Sequence, residues 1–129
     1  MIRFYICDLC GNVIEKIVDG GNDPVCCGKT MRELFPGTSD GSAEKHVPVI
    51  DCTLNDEFDK VCVTVGSTLH PSEPGHHIDW IILETDKGIY RKMLKAGDTP
   101  KATFLIAKHE KIRTAYEYCN LHGLWKCEV

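Results

Sequence analysis

Eight cysteines in a chain of 129 residues constrain this protein more than any other feature. Four of them, Cys7, Cys10, Cys26 and Cys27, fall at the beginning, in a glycine-rich stretch whose apolar runs are too short to build a core. A unit that small needs a staple. In a secreted mini-protein the staple would be a disulfide framework. Here the opening residues, Met1-Ile2-Arg3-Phe4-Tyr5-Ile6-Cys7, lack the long apolar region of a signal peptide. A chain of this length buries about two-thirds of its unfolded surface without help from cross-links. The expectation is therefore a cytoplasmic protein with reduced thiols, in which clustered cysteines bind metal.

The spacing supports that expectation. Cys7-Asp8-Leu9-Cys10-Gly11 is a C-x-x-C followed by glycine, so two thiolates can grip one ion while the glycine takes the positive φ of the turn. Cys26-Cys27 supplies the second pair, and four thiolates suit either zinc or a single iron. A redox dithiol with two core cysteines is the bland alternative, and it leaves the segment with no means of folding.

Beyond this segment the pattern changes. Pro36-Gly37-Thr38-Ser39-Asp40-Gly41-Ser42 is all turn formers, which divides the chain into a metal-stapled domain at 1–36, a linker at 37–43 and a second domain at 44–129. In the second domain Val61, Val63 and Val65 alternate with Lys60, Cys62 and Thr64. Ile78, Trp80 and Ile82 alternate likewise, as do Ala102, Phe104 and Ile106, and Thr114–Cys119 and Leu124–Val129 are further short candidates. Turn residues separate these runs, so the fold class is mainly β, with an antiparallel sandwich.

Charge narrows the partners. Fifteen Lys and Arg against nineteen Asp and Glu leave a net charge of −4, which argues against nucleic acid and against an anionic membrane surface. No apolar run is long enough to span a bilayer.

Five of the six histidines lie beside turn signals or at expected strand ends: His46, His70, His76, His77 and His122, the last in Cys119-Asn120-Leu121-His122. Loops at such places converge, and imidazoles with a thiolate suit iron, copper or zinc. His109, in Lys108-His109-Glu110-Lys111, reads as part of a solvated charged turn. Cys52, Cys62 and Cys127 read as small packing residues.

Taken in chain order, Cys7-x-x-Cys10 with Cys26-Cys27, Glu44-Lys45-His46-Val47-Pro48-Val49-Ile50, His70-Pro71 and Tyr118-Cys119-Asn120-Leu121-His122-Gly123-x-Trp125-Lys126 resemble desulfoferrodoxin. That family is the two-iron class of superoxide reductase, and the resemblance covers nearly the whole chain. It implies a desulforedoxin-like first domain, with a rubredoxin-type iron on Cys7, Cys10, Cys26 and Cys27, and an immunoglobulin-like β-sandwich with a catalytic iron. The equatorial ligands implied are His46, His70, His76 and His122, with Cys119 axial. Glu44 is implied as the carboxylate that closes the sixth position in the oxidised resting form, and Lys45 as the cation beside the open site. The family pattern sets its third histidine four residues before a tryptophan, here Trp80, which selects His76. His77 then stands where relatives usually carry an aromatic residue, as a ring covering the site edge.

The implied activity is one-electron reduction of superoxide to hydrogen peroxide at the ferrous site, with the four-cysteine iron as electron store or relay. The implied partners are a small rubredoxin-like electron donor and a second copy of the chain. Two other classes compete on the residues alone: a rubredoxin-like electron-transfer protein with the sandwich as docking module, and a zinc-stapled binding domain without redox activity.

Overall fold

The buried cluster inside the first 35 residues consists of Tyr5, Cys7 and Met31, with Cys26 packed against it. So little apolar burial cannot by itself offset the entropy of ordering the segment. The computed structural model describes Met1–Val129 and resolves two compact units, Met1–Phe35 and Pro36–Val129. In the first, β1 (Phe4–Ile6) is the centre of an antiparallel sheet between β2 (Val13–Glu15) and β5 (Arg32–Leu34). A two-residue ladder, β3 (Val25–Cys26) with β4 (Lys29–Thr30), carries the second cysteine pair. Around Tyr5 the Arg3 guanidinium lies 2.8 Å from Glu33 and 2.7 Å from Asp19. Arg3 and Lys16 also sit 5.7 and 5.5 Å from the Tyr5 ring centre, so cation–π contact and ion pairs supplement the thin core.

The second unit opens with one helical turn, α1 (Ala43–His46), followed by seven strands. They are β6 (Pro48–Leu54), β7 (Phe58–Val65), β8 (Ile78–Thr85), β9 (Ile89–Met93), β10 (Lys101–Ala107), β11 (Ile112–Cys119) and β12 (Gly123–Glu128). These form two antiparallel sheets, ordered β10-β7-β6 and β12-β11-β8-β9. The alternation in β7 and β10 turns Val61, Val63, Val65, Ala102, Phe104 and Ile106 to one side. There they share a buried core with Ile78, Ile81, Leu83, Ala115 and Cys119 of the other sheet. Sheet on sheet with period-two burial is the sandwich that the sequence leads one to expect. No helix is long and apolar enough to cross a membrane.

Three local readings change. The stretch read as a linker packs with the second unit: Gly37 N–H donates to the Leu124 carbonyl at 2.9 Å, and the Ser39 hydroxyl to the His122 carbonyl at 2.6 Å. Ile78, Trp80 and Ile82 do not share one face. The register between β11 and β8 shifts between Tyr118 and Cys119, so Ile78 joins Ile81 and Leu83 in the shared core, while Trp80 stacks on Tyr118 at 5.7 Å. An extra residue in one strand flips the side-chain parity beyond it. In the charged turn, His109 is exposed with φ of 68°, but Glu110 is buried, accepting from Thr85, Tyr90 and the Ala107 amide.

The strand β11 carries a further surprise. Glu117 is fully buried and neither carboxyl oxygen has a hydrogen-bond partner. Burial pushes its pKa well above the ordinary glutamate value. The folded chain thus keeps a proton that the unfolded chain releases as pH rises, so stability falls with pH above the unfolded value. The expected outcome for Glu117→Gln, at matched metal loading, is relief of this loss. Its stability relative to the parent should climb by about 1.4 kcal/mol per pH unit until the folded carboxyl ionises. Urea denaturation across pH 5.5–8 measures that slope.

Candidate metal centres

The first cluster is built on two turns. The Cys7 carbonyl accepts from the Gly11 amide at 2.9 Å, closing the C-x-x-C turn, and Gly11 takes φ of 82°. On the other side Cys27, at φ of 52°, turns its thiol back beside that of Cys26. The four thiols lie within 4.8 Å of one another, with Cys10 and Cys26 sulfurs 3.6 Å apart and Cys26 and Cys27 sulfurs 3.9 Å apart. A tetrahedron with metal–sulfur bonds of about 2.3 Å has edges of roughly 3.8 Å. The spacing fits one thiolate-bound ion. The Cys10 amide approaches the Cys7 sulfur at 3.5 Å and lowers that thiol to about 6, whereas the crowd of Cys10, Cys7 and Cys26 thiols pushes Cys27 up to about 12. Four thiols so close cannot all ionise without a cation among them.

The second cluster sits where α1, the loops after β7 and before β8, and the β11–β12 turn meet. His46, His76, Cys119 and His122 present ligand atoms within 4.8 Å of one another. His70 joins them: its Nε2 lies 3.4 Å from the Cys119 sulfur and its ring centre 4.6 Å from that of His76. Backbone carbonyls fix the rings, since Nδ1 of His46 is 2.7 Å from the Ser42 oxygen and Nδ1 of His70 is 2.6 Å from the Pro71 oxygen. Each ring therefore donates outward and turns a bare Nε2 inward, the arrangement typical of metal-bound imidazole. Nδ1 of His122 stands 3.1 Å from Nε2 of His46, and Nε2 of His76 is buried with no hydrogen-bond partner. A buried nitrogen without a partner, as on His76, is the kind of orphaned group that a cation satisfies.

Protonation points the same way. Burial lowers His46, His76 and His70, the last to about 4, with the neighbouring imidazoles and, for His46 and His76, Lys45 adding to the effect. Neutral imidazole is the ligating form. Burial raises the Cys119 thiol.

His77 lies outside the cluster, its Nδ1 3.0 Å from the Glu73 carbonyl and its Nε2 3.0 Å from Asp79. Glu44 and Lys45 are exposed on α1 next to His46, and the Glu44 carboxylate is not among the converged atoms. The Glu44 carbonyl instead accepts from Thr68 and Ser67, tying α1 to the loop that leads to His70. Cys52, Cys62 and Cys127 join neither cluster.

Sequence reading missed the supports. The Trp125 ring stacks on His46 at 4.9 Å, and its indole N–H donates to the His122 carbonyl. Gly41 passes so close that a Cβ there would stand 3.0 Å from atoms of both His46 and His122. The tryptophan in the Cys119–Lys126 run was a usable signal; nothing in Gly41-Ser42 distinguishes a glycine pressed on two rings from one in a loose turn.

Two family models match in tandem: desulfoferrodoxin, N-terminal domain, over residues 2–34, and desulfoferrodoxin over residues 38–128. The chain belongs to the desulfoferrodoxin family. The desulfoferrodoxin of Nitratidesulfovibrio vulgaris is 52% identical over 127 residues, covering 98% of this chain and 96% of its own. A superoxide reductase of Pyrococcus abyssi is 37% identical over 105 residues, covering 71% of this chain and 91% of its own. Among solved structures, the superoxide reductase from Treponema pallidum superposes with a TM-score of 0.79 at 34% identity, covering 99% of both chains. Two metal clusters in one desulfoferrodoxin chain, one of four cysteines and one of imidazoles with a cysteine, account for five of its eight thiols.

Glycines next to the second cluster give a graded test. At Gly66, with φ of 87°, a Cβ would stand 2.2 Å from the Thr68 carbonyl oxygen, which is backbone and cannot yield. Gly41→Ala is expected to cost about 1–3 kcal/mol, in the range of ordinary overpacking. Gly66→Ala should cost more, adding backbone strain to the clash. Thermal melts of the two variants check the ranking.

Proposed function

We infer that this desulfoferrodoxin is a superoxide reductase carrying two non-haem irons per chain, one held by four thiolates and one by four imidazoles and a thiolate. The observation that carries the reading is the convergence of bare, inward-facing imidazole nitrogens on the Cys119 sulfur. The relatives named superoxide reductase, and the like-named solved structures, support the reaction. In this reading Cys7, Cys10, Cys26 and Cys27 hold the first iron. His46, His70, His76 and His122 would hold the second together with Cys119. The reaction takes one electron and two protons to convert one superoxide ion to hydrogen peroxide. Ferrous iron held there would supply that electron and a place for the anion, and the Cys119 thiolate would push electron density onto it.

The chain's own residues do the rest. The Ser42 and Pro71 carbonyls hold His46 and His70 in the tautomer that leaves Nε2 bare. The net charge of −4 repels an anion at long range, so Lys45, exposed beside His46, has the task of reversing the field locally. Glu44 repels superoxide as any carboxylate does, and its role is that of a displaceable partner for the more positive oxidised site. The four-cysteine iron stores or relays electrons. Leu9 and Val25, both exposed beside the first cluster, suit a small rubredoxin-like donor that docks by apolar contact. All eight cysteines are unpaired, which supports work in the cytoplasm, and the thin core of the first unit suits a homodimer.

Superoxide consumption by the iron-loaded protein, with peroxide formed and no oxygen released, is the result expected; release of oxygen would mean dismutation, and colourless zinc protein would overturn the redox reading. Lys45→Ala should slow the encounter roughly tenfold at low salt and flatten its salt dependence. Glu44→Ala should leave the encounter fast. Pulse radiolysis ranks the two. Cys119→Ser should lose the thiolate-to-iron absorption of the second site and most reactivity, while pre-reduced Cys7→Ser still reacts with superoxide.

A further inference from the structure

Asn120 follows Cys119 directly, and its bonds reach across to the segment that carries His76. Its amide N–H donates to the His77 carbonyl at 3.1 Å. Its side-chain Oδ1 accepts from the His77 N–H at 2.8 Å, and its Nδ2 donates to the Gly75 carbonyl at 3.0 Å. The residues on both sides of His76 are thus tied to the residue beside Cys119.

The segment they hold has little else to fix it. Residues 73–76 form a small turn closed on itself, with Glu73 and His76 exchanging backbone hydrogen bonds of 2.9 and 3.1 Å. His46 and His70 have carbonyls that orient their rings, and the His76 ring has none: its Nε2 is buried without a partner. Where His76 stands relative to the Cys119 sulfur is therefore set by backbone position, and Asn120 sets that position.

We propose that Asn120 is a positioning residue, whose carboxamide clamps Gly75 and His77 and so fixes His76 against Cys119 in the second metal cluster. The side-chain chemistry is specific. The clamp needs one acceptor and one donor on a single short planar group. Asp offers no donor to the Gly75 carbonyl, Leu offers neither group, and Gln reaches one methylene too far. His77 gains a purpose by the same account. Its main chain is the handle that Asn120 grips, while its ring, held by Glu73 and Asp79, braces the turn from outside.

The proposal rests on reading the second cluster as a metal site, and the test separates the two. Iron-loaded protein is challenged with a ferrous chelator, and release is followed at both sites, with the four-cysteine iron as internal reference. In Asn120→Ala the second-site iron is expected to leave about 10- to 100-fold faster, the cost usual for loss of a group that orients a ligand. The thiolate-to-iron band of Cys119 should shift, with the four-cysteine spectrum unchanged. A variant that melts earlier but keeps the parent's release rate and band would overturn the proposal, since that is the signature of a merely structural residue. A parent protein that holds no iron at the second site would overturn the metal reading instead. Hydrogen exchange on the unaltered protein gives a check that needs no variant. The His77 amide should exchange far more slowly than the exposure of nearby Gly75 suggests, and fast exchange there would refute the clamp.

Discussion

The second unit is organised around a convergence of ligand atoms. Ring nitrogens of His122 and His46 3.1 Å apart, an unpartnered nitrogen on His76 and a sulfur 3.4 Å from His70 all face one small volume. Burial denies these atoms water, so a partner for them has to come from within the site. Everything nearby holds them there regardless: carbonyls behind two rings, a tryptophan face on His46, a glycine pressed against two imidazoles and an amide clip beside the thiol. The sandwich supplies stiffness for this, because the thiol sits at the end of a core strand and is itself part of the apolar core. An ion bound there would find its ligand atoms already gathered within 4.8 Å of one another, so little reorganisation would accompany binding.

The first unit solves the opposite problem. Its few buried side chains cannot define a fold, so the ion there contributes to folding itself. The two centres share cysteine chemistry but differ in this thermodynamic role, and their exposure follows. Cys10 and Cys27 are open to solvent, as suits exchange of electrons with a partner, whereas Cys119 and His70 are enclosed, as suits control of a small anion.

Much of this was legible in residue order. Cysteine spacing marks the first cluster, and period-two alternation in Val61–Val65 and Ala102–Ile106 marks two strands that the core is built from. The family resemblance pointed to His76 rather than His77, and His76 is the one with a ring nitrogen in the cluster. What was hidden is what depends on register and on backbone atoms. A one-residue slip between Tyr118 and Cys119 reverses which of Ile78 and Trp80 looks inward, and no local pattern announces it. Glu110 looks solvated in its charged turn because charge is a good guide to exposure on average; it and Glu117 are both buried by neighbours far away in sequence. The carbonyls of Ser42 and Pro71 have no side-chain signature at all.

The stretch from Pro36 to Ser42 carries a practical consequence for dissecting the chain. Its composition invites a cut just ahead of α1, as if nothing of the second unit lay upstream. Such a cut would remove the carbonyl that sets the His46 tautomer, the hydroxyl on the His122 carbonyl and the glycine wedged against both rings. The seven strands would remain, yet two of the converging imidazoles would be free to turn. Where a domain ends by composition and where its chemistry ends are different places here, and only the latter is a safe place for the knife.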